Sequence, residues 1–301
     1  MGMEVRIVMQ APDDMSARRA GEAAFATIAA LDARLSDYRS DSDLRAIERA
    51  APHVVEVHPD VFAVLSQAVD VARATDGAFD PTVAPLSALW RESRDTGRLP
   101  GTADLAAARA LVGWSRLDLE KASGAFFARL PVAGMRLDLG GIAKGYILQR
   151  AMDTLRADGV SRALIEAGGD IVAGDPPRGS PGWTVQTTCV GGVGGVGGVG
   201  GVGPAELERA RTTTLANAAL ATSGATAQFV VIDGVRYSHV VDPRTGLGLT
   251  NHRTVHVRAQ DGATADAWAT ALSVLTPEQA MNIRLPTDLT FCWAGAGWAG
   301  E

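Results

Sequence analysis

Asp266 and Thr270 stand four residues apart in an Ala-rich segment of helical spacing, so a carboxylate and a hydroxyl share one helix face. Two hard oxygens so placed suit Mg²⁺, which takes few protein ligands and leaves room for phosphate oxygens and water. The pair also has a structural reading: Asp266 complementing the helix dipole, Thr270 bonding back to its own turn. A second grouping is Asp138-Leu139-Gly140-Gly141-Ile142-Ala143-Lys144-Gly145-Tyr146, which follows an apolar run and opens a helix predicted over 142–155. Glycines at such a turn let backbone amides approach an anion, the helix N-terminus adds partial positive charge, and Lys144 adds a full one. That is chemistry for a phosphate or pyrophosphate, although a Gly-Gly pair alone makes only a turn.

A third grouping, His239-Val240-Val241-Asp242-Pro243-Arg244-Thr245-Gly246, joins a predicted strand end to a turn. His239 titrates near working pH and could act as a general base, or be a partly buried, hydrogen-bonded side chain. Arg244 could face a phosphate or brace the turn. His252 and His256 would share a strand face, but no third ligand accompanies them and metal binding there is discounted. Gly168-Gly169-Asp170, Thr222-Ser223-Gly224 and the turn Gly77-Ala78-Phe79-Asp80-Pro81-Thr82 could bring backbone close to a ligand, and Tyr38 could stack on a flat ring. Each of these also reads as a turn, a cap or a core aromatic.

The elements that must position these residues are legible as patterns. Helices are predicted over 15–35, 44–49 (behind a Ser40–Asp43 capping box), 59–74, 102–112 and 264–275, with another opened by Pro277. Strands are predicted over 4–10, 116–119, 125–130, 134–138, 163–166, 171–173, 183–188, 229–232, 236–241 and 254–257. Residues 80–90 read as irregular. Asp233-Gly234 between two strands signals a hairpin. Helices cluster early and strands late, which indicates an α+β fold. The repeated Gly-Gly-Val run at 190–203 cannot build a core and reads as a loop insertion.

Composition narrows the function classes. The 301 residues are 47% hydrophobic and 21% charged, enough for a sizeable core in one large domain or two smaller ones. A net charge of −6 argues against general nucleic-acid binding, so an anionic ligand must be held by local devices. Cys189 and Cys292 offer neither metal spacing nor a disulfide framework; one bridge is left open, but lone thiols are expected. No apolar run is long enough to span a membrane, and no leader is visible, so the chain as given is expected to be cytoplasmic unless a leader has been removed.

In order along the chain, these segments resemble the ApbE family, the FAD:protein FMN transferases. The Gly-Gly-Ile-Ala-Lys-Gly block at 140–145, the His-x-x-Asp-Pro-Arg-Thr-Gly block at 239–246 and the Ala-Asp-Ala block at 265–267 carry the likeness. The resemblance implies a T-fold-like α+β protein, with helices and mixed or antiparallel sheets in two lobes around a flavin cleft, forming one catalytic domain over 1–301. It implies transfer of FMN from FAD to a Thr or Ser hydroxyl of an acceptor protein, with release of AMP. Mg²⁺ would be held by the Ala143 carbonyl, Asp266 and Thr270, and His239, or else Asp242, would serve as base. Lys144, Arg244, Gly140 and Gly141 would position phosphates, and Tyr38 and Met1 would pack on the isoalloxazine. Asp80, Gly168, Gly169, Asp170, Ser223, Gly224 and His239 would complete the FAD contacts. A FAD pyrophosphatase using water as acceptor, or a FAD carrier without turnover, would share the same residues. Gln149, Glu166-Ala167 and Ala225-Thr226 depart from the family pattern, as does the Gly-Gly-Val run.

Overall fold

The computed structural model describes residues 3–187, 211–224 and 229–294. The N-terminal half is mostly helical. Strand β1 (Val5–Met9) leads into α1 (Asp14–Leu35), whose buried residues Ala20, Ala24, Ile28, Leu31 and Leu35 form one stripe at helical spacing. Then come α2 (Asp43–Ala50), β2 (Val55–Glu56), α3 (Pro59–Ala74), α4 (Ala84–Thr96) and α5 (Thr102–Ala110). Ser42 caps α2, and Pro59 opens α3 where its missing N–H costs nothing. A hairpin of β3 (Asp118–Ala122) and β4 (Ala125–Arg129), extended by β2, forms a three-stranded sheet.

Beyond it lie α6 (Ala143–Ala157), β5 (Ala163–Ala167), β6 (Asp170–Ala173), β7 (Trp183–Thr187), β8 (Arg211–Leu215), β9 (Ala218–Gly224), β10 (Phe229–Ile232), β11 (Val235–Ser238), β12 (Thr254–Ala259), α7 (Gly262–Val274), α8 (Pro277–Asn282) and β13 (Thr290–Ala294). The largest sheet has the order β1-β5-β6-β9-β12-β13, antiparallel throughout. Successive side chains alternate between its faces. Ile165, Val172, Ala219, Ala221, Val255 and Val257 join the main core with α6 and α7, while Leu164, Ile171 and Leu220 face the β7–β8 ribbon through Val185 and Leu215. Both faces are therefore covered.

The sequence expectations hold for most helices but not everywhere. Residues 84–96 form a helix, which overturns the irregular reading of 80–90 from Ala84 on: Pro85 lies in the first turn, where proline is tolerated, and Gly97 ends the helix in the left-handed conformation at φ 67. The strand expected at 134–138 is absent because that backbone bonds elsewhere: the Leu137 N–H donates to Glu48 Oε1 and the Asp138 N–H to the Pro81 carbonyl. The strand expected to run to Val241 ends at Ser238, leaving Val241 in an isolated bridge with Gly248. His252 lies in a left-handed turn at φ 52 ahead of β12 and does not share a strand with His256. Cys292 on β13 is disulfide-bonded, against the expectation of a lone thiol. Met1, Cys189, the run at 190–203 and Ala225-Thr226 lie outside the described residues. The Asp233-Gly234 hairpin forms as expected, both residues having positive φ. No helix among the described residues is long and apolar enough to cross a membrane.

Candidate active site

The site begins where α6 begins. Asp138 Oδ1 accepts the Gly140 N–H at 2.9 Å, and the Leu139 carbonyl accepts the Ile142 and Ala143 amides, so the glycine turn is closed by its own residues. No side chain at the N-cap position of α6 caps the helix. Asp266 of α7 does so instead: its Oδ2 accepts the Gly145 amide at 3.1 Å. This reach requires α6 and α7 to touch backbone to backbone. A Cβ on Gly145 would lie 1.9 Å from the Gly262 carbonyl oxygen, and one on Gly262 2.2 Å from that of Gly145. Gln149, one turn further along α6, accepts the Gly262 amide and holds the N-terminus of α7. Its departure from the family pattern thus falls on a helix-to-helix contact.

Lys144 bridges two buried carboxylates, Asp170 Oδ2 at 2.5 Å and Asp266 Oδ1 at 3.1 Å. Burial alone would lower the ammonium pKa, but the Asp266 and Asp170 charges outweigh it and hold it above the ordinary lysine value. Asp170, 2% exposed, is pushed up to about 7 by burial and by the Asp266 charge, against the pull of Lys144. Its Oδ1 also accepts the Thr222 N–H at 3.3 Å. The Thr222 hydroxyl in turn bonds His256 Nδ1 at 3.0 Å, and burial lowers that imidazole to about 4. Charge and hydrogen bonding thus run from α6 through β6 and β9 into β12.

Thr270, one turn after Asp266, lies against the glycine turn: a Cβ on Gly141 would sit 2.7 Å from its hydroxyl. Asp266 and Thr270 therefore converge on the start of α6, and their carboxylate and hydroxyl are donors that fit a hard divalent cation. Among the described residues no group of three or more His, Cys, Asp or Glu side chains could hold a metal unaided. An ion here would complete its shell with substrate phosphates and water, the habit of Mg²⁺.

The other candidate residues differ in depth and in the contacts that hold them. Gly168 and Gly169, with φ 56 and 92, make the β5–β6 turn that presents Asp170. Ser223 and Gly224 end β9; Gly224 packs on the Thr254 backbone and Ser223 bonds Ser273 of α7. Asp80 is committed elsewhere: its carboxylate accepts the Thr82 amide and hydroxyl and the Trp114 amide, bracing the turn before α4. Burial raises its pKa against those hydrogen bonds. His239 is exposed, just past β11. Asp242 and Arg244 form a forked ion pair within their turn, at 2.9 and 3.0 Å. That turn rests on α4 through Trp90 Nε1, which donates to the Gly246 carbonyl at 2.7 Å. Tyr38 is 81% exposed on the loop between α1 and α2. Sequence reading missed His256 as a partner of Thr222, Gly262 as the other half of the helix contact, and Arg91 beneath Tyr38. The first two pairings join distant segments, and Arg91 lies just beyond the stretch read as irregular, on a helix that the sequence reading did not place.

Fold and site together define a class: an α+β protein with an antiparallel sheet, in which a helix N-terminus, a half-buried lysine and a carboxylate–hydroxyl pair lie together, a set of groups of the kind that suits an anion and a hard cation. The chain belongs to the ApbE family, whose model matches residues 1–289. It is 30% identical to an FAD:protein FMN transferase of Klebsiella pneumoniae over 93% of this chain and 81% of that one. A Treponema pallidum protein of the same description is 30% identical over 81% of this chain and 68% of its own length. The ApbE protein of Thermotoga maritima superposes with a TM-score of 0.76 at 30% identity, covering 91% of this chain and 84% of that one. The apo flavinyl transferase ApbE of Pseudomonas stutzeri gives 0.75 at 26% identity, over 97% and 94%.

Proposed function

We propose that this chain transfers FMN from FAD to a Thr or Ser hydroxyl of an acceptor protein and releases AMP. The observation that carries the reading is the convergence of Asp266, Thr270, Lys144 and the Gly140-Gly141 turn at the start of α6, in a chain whose relatives are described as FAD:protein FMN transferases.

The chain's own groups supply most of the required steps. The start of α6 would offer the pyrophosphate the helix's partial positive charge, and Lys144, held between Asp170 and Asp266, would set an ammonium beside it. Asp266, Thr270 and the Ala143 carbonyl would hold Mg²⁺, which when bound neutralises the charge that builds on the phosphates. Asp170, by sharing Lys144 with Asp266, fixes the ammonium's position. The acceptor hydroxyl attacks the FMN-side phosphorus, a new O–P bond forms, and the P–O bond to AMP breaks in line with it. The hydroxyl proton passes to His239, exposed where an acceptor protein can reach it, with Asp242 as the second choice. Tyr38, exposed on its loop, stacks on the isoalloxazine, and Arg244 is available to a phosphate oxygen once it leaves Asp242.

The test is incubation with FAD and Mg²⁺, with and without a Thr-bearing acceptor peptide, following AMP release and peptide mass. AMP with an FMN-sized mass gain supports the transferase. AMP and free FMN with an unmodified peptide identify a pyrophosphatase instead. FAD binding without AMP in either arm identifies a carrier.

A further inference from the structure

Arg91 of α4 sits at a junction that the proposed reaction does not use. Its Nη2 lies 2.5 Å from Asp37 Oδ2 and 3.8 Å from Asp138 Oδ2, and its guanidinium carbon is 4.8 Å from the centre of the Tyr38 ring. Asp138 is the residue whose other oxygen closes the glycine turn on Gly140. Asp37 immediately precedes Tyr38. One planar cation therefore stacks on the exposed aromatic and is anchored at both the aromatic's loop and the phosphate turn. Burial would lower the guanidinium pKa, but the Asp37 and Asp138 charges raise it above its ordinary value, so the group is a permanent cation.

The loop is held from a second side through its backbone. Arg45 of α2 donates to the Asp37 carbonyl and Arg49 to that of Ser40, while Ser36 Oγ accepts the Tyr38 and Arg39 amides. These contacts fix the loop's path but leave the Tyr38 ring open to solvent. Arg91 makes the cation–π contact that orients the ring.

We propose that Arg91 is a positioning residue for the flavin: it sets the plane of Tyr38 relative to the Asp138–Gly141 turn, and thereby the distance between isoalloxazine and pyrophosphate that the site accepts. The inference rests on the FAD-dependent reading above and concerns how tightly and in what pose flavin is held. Its signature is loss of Tyr38 stacking, with the penalty falling on KM for FAD rather than on kcat.

The experiment uses the full chain and FMN as the fluorescent probe, since a ring stacked on tyrosine is quenched and FMN has no adenine to quench it. Arg91→Ala is expected to weaken FMN binding and raise the KM for FAD about tenfold and to restore much of the bound flavin's emission. Adding Arg91→Ala to Tyr38→Ala is expected to change binding by less than about twofold, because the two residues act as one unit. Arg91→Lys keeps the charge beside Asp37 but loses the planar stack. It is expected to melt like the parent while remaining unquenched, and it serves if the alanine variant fails to fold. Full quenching in Arg91→Lys, or effects of Arg91→Ala and Tyr38→Ala that multiply, would overturn the proposal. A parent protein that binds neither FMN nor FAD overturns the functional reading itself, and this inference with it.

Discussion

The centre around Lys144 and the rim around His239 are built on opposite principles. At the centre, two carboxylates are almost wholly enclosed around a half-buried lysine, each oxygen is assigned a donor, and the supporting contacts come from α6, β6, β9 and α7. At the rim, His239 follows the end of an exposed two-stranded ribbon, and the neighbouring ion pair of Asp242 and Arg244 closes only on its own turn. The centre is preorganised, and altering it disturbs the fold as well as the chemistry. In the proposed reaction the rim is where the acceptor protein would enter, and with its contacts confined to its own turn it should lose its chemistry and leave the fold intact.

Substitutions along this gradient should separate the two. Asp266→Ala removes the α6 cap and one partner of Lys144 together. AMP release should fall about a thousandfold, with a visible loss of melting temperature; an unchanged metal dependence in AMP release would contradict the assignment. Gly145→Ala introduces no charge change, yet its Cβ would meet the Gly262 carbonyl at 1.9 Å. Chemical denaturation should show about 3 kcal/mol of destabilisation from the forced separation of the helices. His239→Gln should lower transfer to an acceptor about a hundredfold while the denaturation curve overlays the parent's; wild-type transfer rates would remove the base assignment.

The smallest effect lies at the far end of the buried network. His256 has its pKa lowered from 6.5 to about 4 by burial. As pH falls, the unfolded chain takes up that proton before the folded one does. The stabilisation is therefore complete above pH 6.5 and lost progressively as pH falls through 4, about 2 kcal/mol of it by about pH 5. His256→Gln, which keeps a partner for the Thr222 hydroxyl, should lose correspondingly less stability between neutral and acidic buffer, read from urea midpoints at the two pH values. Equal acid sensitivity in the two proteins would mean that the histidine is not the group responsible.

How much of this was legible follows from the range of each interaction. The glycine turn before Lys144 and the shared face of Asp266 and Thr270 are local patterns, and both can be read along the chain. The Asp266 cap on Gly145 spans 121 residues and the Lys144–Asp170 pair 26, so periodicity carries no trace of either. Strand β9, Ala-Ala-Leu-Ala-Thr-Ser-Gly, went unread because its residues are small rather than β-branched. They are small because α7 packs closely over that part of the sheet. Helix α4 was hidden by Pro81 and Pro85, which mark its entrance rather than a break in it, and Arg91 was hidden with it.

Gly145 and Gly262 have no functional group to offer, yet each occupies the space that the other's side chain would need. Replacing either one forces α6 and α7 apart, and that movement carries Asp266 away from the Gly145 amide. A survey of tolerated substitutions along this chain should therefore score two residues without chemistry as severely as the carboxylates beside them. The two glycines work as one spacing device, so a loss-of-activity variant at either is a fault of spacing rather than of catalysis.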